Sequence, residues 1–231
     1  MIRAALVTLA VALGALGLAP AAGAQTVITG TVKSKAGQLL PGLALLEKGE
    51  MHNNVWDRGA LVDADGHFRI DVASGGPYGL HVYASGYLYS PNAIRVDAGK
   101  TLEVTIVLVP EPTRANDPVI TRVDFAPAAA KPGAATIAKM DVASPHGILG
   151  PQVLAFNALT GRAFAMDPPG WVWSLKSNYP NGVYTLKIEG QTSPRDWYFV
   201  VADHRCNTTD ILSFPHEPKS MSTSHPPCVR T

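Results

Sequence analysis

Charge is scarce in this sequence. Only 16% of its 231 residues are Asp, Glu, Lys or Arg, and the formal net charge is +1. So weak a field recruits neither nucleic acid nor an anionic membrane surface, and no dense Lys/Arg cluster overrides the average. Long helical patterns are missing after the first two dozen residues. No later apolar run reaches the ~20 residues that a spanning helix needs. There are only two cysteines, Cys206 and Cys228, and no C-x-x-C-H run for haem. G-x-S-x-G, H-E-x-x-H and phosphate-loop patterns are all lacking, so no local context makes any serine a nucleophile.

What is present begins with a processing signal. "MIR" supplies a short positive end, and "AALVTLAVALGALGLA" is an apolar run of moderate length. Ala22-Gly23-Ala24 then gives an A-x-A cleavage site. We therefore expect a signal peptide over residues 1–24, Ala-rich in the bacterial style. The mature chain would be periplasmic or extracellular, with no membrane span after cleavage. In such a compartment Cys206 and Cys228 are expected to pair. The loop of about 20 residues that they close would be stabilised by roughly 3 kcal/mol.

From Gln25 onward the sequence alternates strand and turn. Gly (21) and Pro (19) are frequent enough to supply many turns. About seven short runs fall within residues 25–109, among them "TVITGTVKS", "GPYGLHVYASGY" and "AIRVDAGKTLEVTIVLVP", the last read as a hairpin. Residues 48–59, "KGEMHNNVWDRG", read as a loop or a poorly patterned edge. Residues 110–117 lack periodicity and are the linker candidate. A second series spans 118–203, where Val119, Thr121, Val123 and Phe125 are expected on one face. Residues 204–231 read as a tail closed by the disulfide. The fold class is thus all-β, with two tandem β-sandwich domains behind a cleaved signal peptide.

Two tyrosines follow turns in matching contexts: Tyr78 in "GGPY" and Tyr184 in "NGVY". Both are compatible with a tyrosine corner, whose hydroxyl bonds back to upstream backbone. The stretch "LVDADGHFRIDV" invites a calcium reading. Counted from Asp63, Gly66 falls at loop position 4 and Ser74 at 12; counted from Leu61, the end positions are Leu61 and Val72. Neither register supplies the ligands of a calcium loop. Asp63, Asp65 and Gly66 are better explained as a hairpin turn, in which Asp side chains cap backbone and Gly takes positive φ.

Residues 28–109 resemble the carboxypeptidase regulatory-like domain, a transthyretin-type sandwich. The resemblance rests on "ITGTV", "LPGLALL", "VDADGHFRI", "GPYGLHVYASGY" and "LEVTIVL" in that order. It implies a non-catalytic accessory or interaction module. Residues 118–203 look like a bacterial immunoglobulin-like or fibronectin-like domain, on "PVITRVDFAP", "TIAKMDVASP" and "NGVYTLKIEG". That likeness bears on architecture alone.

Three candidate chemistries remain. "DADGHF" followed by "GPYGLHVYASGY" is faintly similar to intradiol dioxygenases, with Tyr78, His81, Tyr83 and Tyr87 as iron ligands. The family's paired His-x-His is absent, and alternation puts Tyr78 opposite His81, which then reads as an outward side chain. His204, Cys206, His216, His225 and Cys228 are metal-ligand types, but their spacing matches no zinc pattern. Trp56 sits with His52, Asn54 and Asp57 in the irregular loop, an aromatic beside amide and carboxylate groups, as sugar-binding sandwiches present. The alternative is a covering loop. The leading expectation is an exported binding or scaffolding protein, not an enzyme and without cofactor, whose partner is an unidentified protein or glycan. A carbohydrate-binding accessory protein is the runner-up, and a metal-dependent oxygenase is a distant third.

Overall fold

The computed structural model describes residues 25–49, 55–112, 117–126, 135–169, 178–189 and 193–213. The expected signal peptide, His52, Asn54, Trp171, Trp173, His216, His225 and Cys228 lie outside them. Seven strands occupy the first half: β1 (Thr26–Ser34), β2 (Gly42–Lys48), β3 (Trp56–Val62), β4 (His67–Val72), β5 (Gly76–Tyr83), β6 (Ser90–Val96) and β7 (Thr101–Leu108). The second half contributes β8 (Val119–Ala126), β9 (Thr136–Ala143), β10 (Ile148–Asn157), β11 (Arg162–Ala165), β12 (Asn178–Tyr179), β13 (Gly182–Ile188), β14 (Trp197–Asp203) and β15 (Leu212–Ser213). The described chain is all-β, apart from short 3-10 turns such as Pro194–Asp196.

These strands make three sheets. Two are three-stranded, β4-β1-β7 and β13-β9-β8. Between them runs a long sheet in the order β15-β14-β10-β11-β3-β2-β5-β6, with β12 beside β10. The long sheet passes from one half of the chain to the other through a narrow join, Arg162 of β11 opposite Arg58 of β3. It doubles back there, so that β2 and β5 face β10 and β14 across a shared core.

Three apolar clusters result, and strand alternation assigns residues to them. Ile28, Ala44, Leu46, Ile70, Leu80 and Val82 fill the space under β4-β1-β7. Met140, Val153, Ala155, Tyr184, Phe199 and Val201 fill the space under β13-β9-β8. Leu43, Leu45, Tyr83, Leu154, Phe156 and Val200 meet in the middle. Strands β2, β5, β10 and β14 are therefore covered on both faces.

Several local expectations are corrected. β6 and β7 are not a hairpin: β6 pairs with β5, whereas β7 runs parallel to β1 over eight residues. The turn between them carries the chain from one sheet to the other, with Gly99 N donating to Thr26 Oγ1 and Val27 N to Lys100 O. β3 and β4 likewise belong to different sheets. The "DADG" turn between them is held locally, since Asp63 Oδ1 accepts from Asp65 N (3.0 Å) and His67 N (2.8 Å). Gly66 adopts φ 74° and its carbonyl accepts from Val32 N, so the turn also docks on β1. Residues 56–59, read as loop, begin β3. On β8 a bulge between Ile120 and Arg122 shifts the register, so Ile120 is buried and Thr121 exposed, while Val123 and Phe125 still pack inward.

The ends of the two halves are tied together. Thr208 N donates to Glu111 Oε1, Thr208 Oγ1 to Tyr87 O and Tyr89 N to Cys206 O. Cys206, Asn207 and Thr208, expected at the start of the tail, are buried, and β15 pairs with β14.

Candidate functional site

Alternation along β2 places Leu43, Leu45 and Glu47 on the face opposite Ala44 and Leu46. On β5 it places His81 and Tyr83 opposite Tyr78, Leu80 and Val82. Glu47, His81 and Tyr83 therefore share the face that the second half covers. Tyr89, just before β6, completes the group. Nε2 of His81 lies 3.1 Å from Glu47 Oε2, and Nδ1 lies 2.5 Å from Tyr89 Oη. One proton assignment satisfies both contacts: Nε2–H donates to the carboxylate, and the Tyr89 hydroxyl donates to Nδ1. The Trp56 ring leans on His81 at 4.6 Å between centroids, and Tyr83 stacks on Tyr89 at 5.2 Å. The Tyr83 hydroxyl then reaches across the shared core and donates to Gln152 Oε1.

This network is sealed. His81 and Tyr83 are 0% exposed and Glu47 is 1% exposed. Burial pushes the Tyr83 phenol well above its usual range, and the nearby Tyr89 and Glu47 add to the shift. A carboxylate–imidazole–phenol chain is an arrangement that acid–base catalysis uses. Here neither of the two described grooves is lined by any member of the chain. Glu47, His81 and Tyr89 are instead hydrogen-bonded to one another within the first half, and the Tyr83–Gln152 bond, stacked against them through Tyr89, crosses to the second.

His81 was expected to point outward. It is buried because β10 and β14 cover that face of β5. The sequence held one hint: "GLHVY" carries no other polar residue on either face, as a strand covered on both sides does.

Two surface grooves are lined by described residues. One, of about 460 Å³, runs between the halves and is lined by Leu40, Pro41, Leu61, Tyr87, Tyr198 and Ile211. The other, of about 390 Å³, lies where β3 and β4 meet the turn between β10 and β11. Its charges are occupied: Arg58 Nη1 donates to Thr160 O at 3.1 Å, and Arg69 pairs with Asp71 at 2.8 Å. Leu159, on that turn, is 80% exposed.

Of the expected sugar platform, Trp56 opens β3 and packs against the middle core, while Asp57 lies 4.0 Å from Arg58 Nε. The Trp56 face that meets His81 is thus unavailable as an open platform. Tyr78 Oη donates to Ser74 O and Tyr184 Oη to Pro180 O, each at 2.8 Å. Tyr78 therefore bonds on the far side of β5 from His81 and Tyr83, which splits the proposed iron-ligand set. Among the described residues no cluster of three or more His, Cys, Asp or Glu side chains could hold a metal.

A second polar centre was missed in the sequence. Asp203 ends β14 and organises the turn that follows it. Its Oδ1 accepts from Arg205 N (2.8 Å) and Asn207 N (3.0 Å), and its Oδ2 from Asn207 Nδ2 (2.9 Å). Burial raises its pKa; these hydrogen bonds and the charge of His146 oppose the rise. Asn207 is fully buried, so the sequon Asn207-Thr208-Thr209 presents no accessible amide. Cys206 takes φ 64° in this turn, and no described cysteine is free.

Residues 27–109 match the family model of the carboxypeptidase regulatory-like domain. None of the curated proteins matches the chain. Among solved structures it is similar to a chain of a type II cohesin–X-dockerin complex from Acetivibrio cellulolyticus, with 20% identity over 36% of this chain and 56% of that one (TM-score 0.27). It is similar also to the minor pilin of Streptococcus agalactiae, at 22% identity over 39% and 46% (TM-score 0.32). The major pilin subunit BcpA of Bacillus cereus shows 10% identity over 80% and 66% (TM-score 0.34). This chain spans only part of the length of each.

Proposed function

We propose that this chain is an exported, non-catalytic binding or scaffolding protein. It acts in the periplasm or outside the cell, with two sandwich modules divided in sequence near residues 110–117. The observation that carries the reading is the fate of its most reactive-looking side chains. Glu47, His81, Tyr83 and Tyr89 are consumed in a sealed clasp between the halves. What remains at the surface is grooves and strand edges, which suit recognition of a partner. The regulatory-like domain matched by residues 27–109 fits the same role. Crosslinking in the native compartment, followed by identification of the trapped species, tests the proposal. Recovery of the chain alone, together with turnover of a substrate by the purified protein, would overturn it.

A carbohydrate ligand is the second reading, and the groove between the halves favours it. Tyr87 and Tyr198 line that groove with Gln38 and Ser85, an aromatic and polar mix that suits sugar faces and hydroxyls. Titration with cell-wall and plant polysaccharides, followed by tyrosine and tryptophan fluorescence, should respond in the wild type and not in Tyr87→Ala. Silence across the whole panel would remove this reading and leave the protein-partner one.

A further inference from the structure

Sheet edges are hazards that natural proteins guard with prolines, bulges, positive charges or short length. Most of the edges here carry such guards. β6 contains Pro91 and Arg95; β8 has a bulge and Arg122; β13 has Lys187; β4 carries Arg69; β15 has two residues. β7 is the exception. It is eight residues long, "TLEVTIVL", with one charge, no proline and an unbroken ladder to β1. Along Thr101–Leu108 its other side pairs with no strand among the described residues; just beyond, Val109 O accepts from Leu88 N and Glu111 N donates to Gly86 O on that side, so the open edge ends at Leu108.

The register shows which backbone groups face that open side. Val27 N donates to Lys100 O at the start of the parallel ladder. Continuing the pattern, the even-numbered residues Leu102, Val104, Ile106 and Leu108 bond to β1. The N–H and C=O groups of Thr101, Glu103, Thr105 and Val107 then point to the open edge. The side chains of these four residues are exposed, Val107 to 45%, while Leu102 and Val104 are only partly buried against the core.

We propose that β7 pairs antiparallel with β7 of a second copy of this chain, about a two-fold axis at Val104. This goes beyond the binding role argued above and does not depend on it. In this register Thr101 faces Val107 of the second copy, Leu102 faces Ile106, and Glu103 faces Thr105. All the open-edge backbone groups then find partners. The strand is self-complementary because the single charge, Glu103, meets a hydroxyl. Were the axis one residue earlier, at Glu103, two carboxylates would meet, a destabilising pair. The product is a continuous sheet β4-β1-β7-β7-β1-β4, with the isologous contact usual in dimers.

The test is sedimentation equilibrium of the mature chain and three variants over a wide concentration range. Wild type is expected to dimerise reversibly. Thr105→Pro removes one outward N–H from each copy at a site where an edge strand tolerates proline, and should abolish the dimer. Thr105→Lys sets an ammonium opposite each Glu103 and should tighten it about fivefold, whereas Thr105→Glu should loosen it by a similar factor. Amide exchange provides an independent readout: Thr105 and Val107 should gain protection as concentration rises, and thermal unfolding at low concentration should be the same for all four proteins. A wild type that stays monomeric at every concentration overturns the proposal. So does a dimer that is indifferent to all three substitutions, or one in which Lys and Glu act alike.

Discussion

The hydroxyl of Tyr83, from β5, donates to Oε1 of Gln152, on β10, across the core shared by the two halves. Both side chains are buried, Tyr83 completely and Gln152 to 3% exposure. The bond is the outer end of the clasp that also holds His81, Glu47 and Tyr89, so its loss should be felt by both halves at once.

Tyr83→Phe leaves the Gln152 carbonyl oxygen buried without its donor. We expect a loss of about 1–3 kcal/mol in urea unfolding, still in one transition. Gln152→Leu alone should cost a similar amount. The double variant should lose less than the sum, because neither orphaned group then remains. Strict additivity would mean that the two side chains do not act as a pair.

Gly59 stands where the long sheet passes from one half to the other. A Cβ there would lie 2.5 Å from Leu45 Cδ2, 2.9 Å from the Ala44 carbonyl oxygen and 3.1 Å from Phe156 Cδ2. Gly59→Ala should therefore destabilise the fold by about 1–3 kcal/mol through overpacking. Leu159→Ala, at an 80% exposed position, should stay within about 0.5 kcal/mol of wild type. Equal midpoints for the two variants in denaturant would contradict this account of the join.

Asp203 sets a pH dependence whose sign follows from its environment. Burial raises its folded pKa above the 3.8 usual for an aspartate. The folded state then holds the proton more tightly than the unfolded chain. Stability from this group is greatest below about 3.8 and falls as pH rises through the raised folded value. Asp203→Asn removes the ionisable group. The bond to Asn207 can be kept, because Oδ1 of Asn207 is buried without a partner among the described residues and its amide can turn over. The gain in melting temperature of Asp203→Asn over wild type should thus grow as pH rises across that window and then level off. A gain that shrank with rising pH would reverse the assignment.

Cys206 and Cys228 are predicted to be joined in protein purified without reductant. Intact mass and peptide mapping should find the linked pair, and Cys228→Ser should lower stability by roughly 3 kcal/mol. Two free thiols would count against export to an oxidising compartment.

Much of the lower-level structure was legible because it is local. Alternation sets Tyr78, Leu80 and Val82 on one face of β5, and Ala138, Met140 and Val142 on one face of β9, because side-chain direction on a strand follows from parity alone. The Asp63–Gly66 turn was legible for the same reason, since its hydrogen bonds close within five residues. The all-β class followed from short patterned runs and abundant turn residues.

Which sheet a strand joins was not legible. A turn such as Asp97–Lys100 suits a hairpin and a crossing between sheets equally, and only the docking of β7 on β1 decides between them. The same limit hid the clasp. Parity puts His81 on the face opposite Leu80, but it does not say whether that face meets water or protein. Burial is a property of the assembled layers: once the long sheet doubles back at Arg58 and Arg162, the face carrying Glu47, His81 and Tyr83 closes against β10 and β14. The sequence by itself determined strand identity, parity and turn chemistry. The tertiary structure decided what each face touches, and so turned a histidine expected at the surface into the centre of a buried polar network.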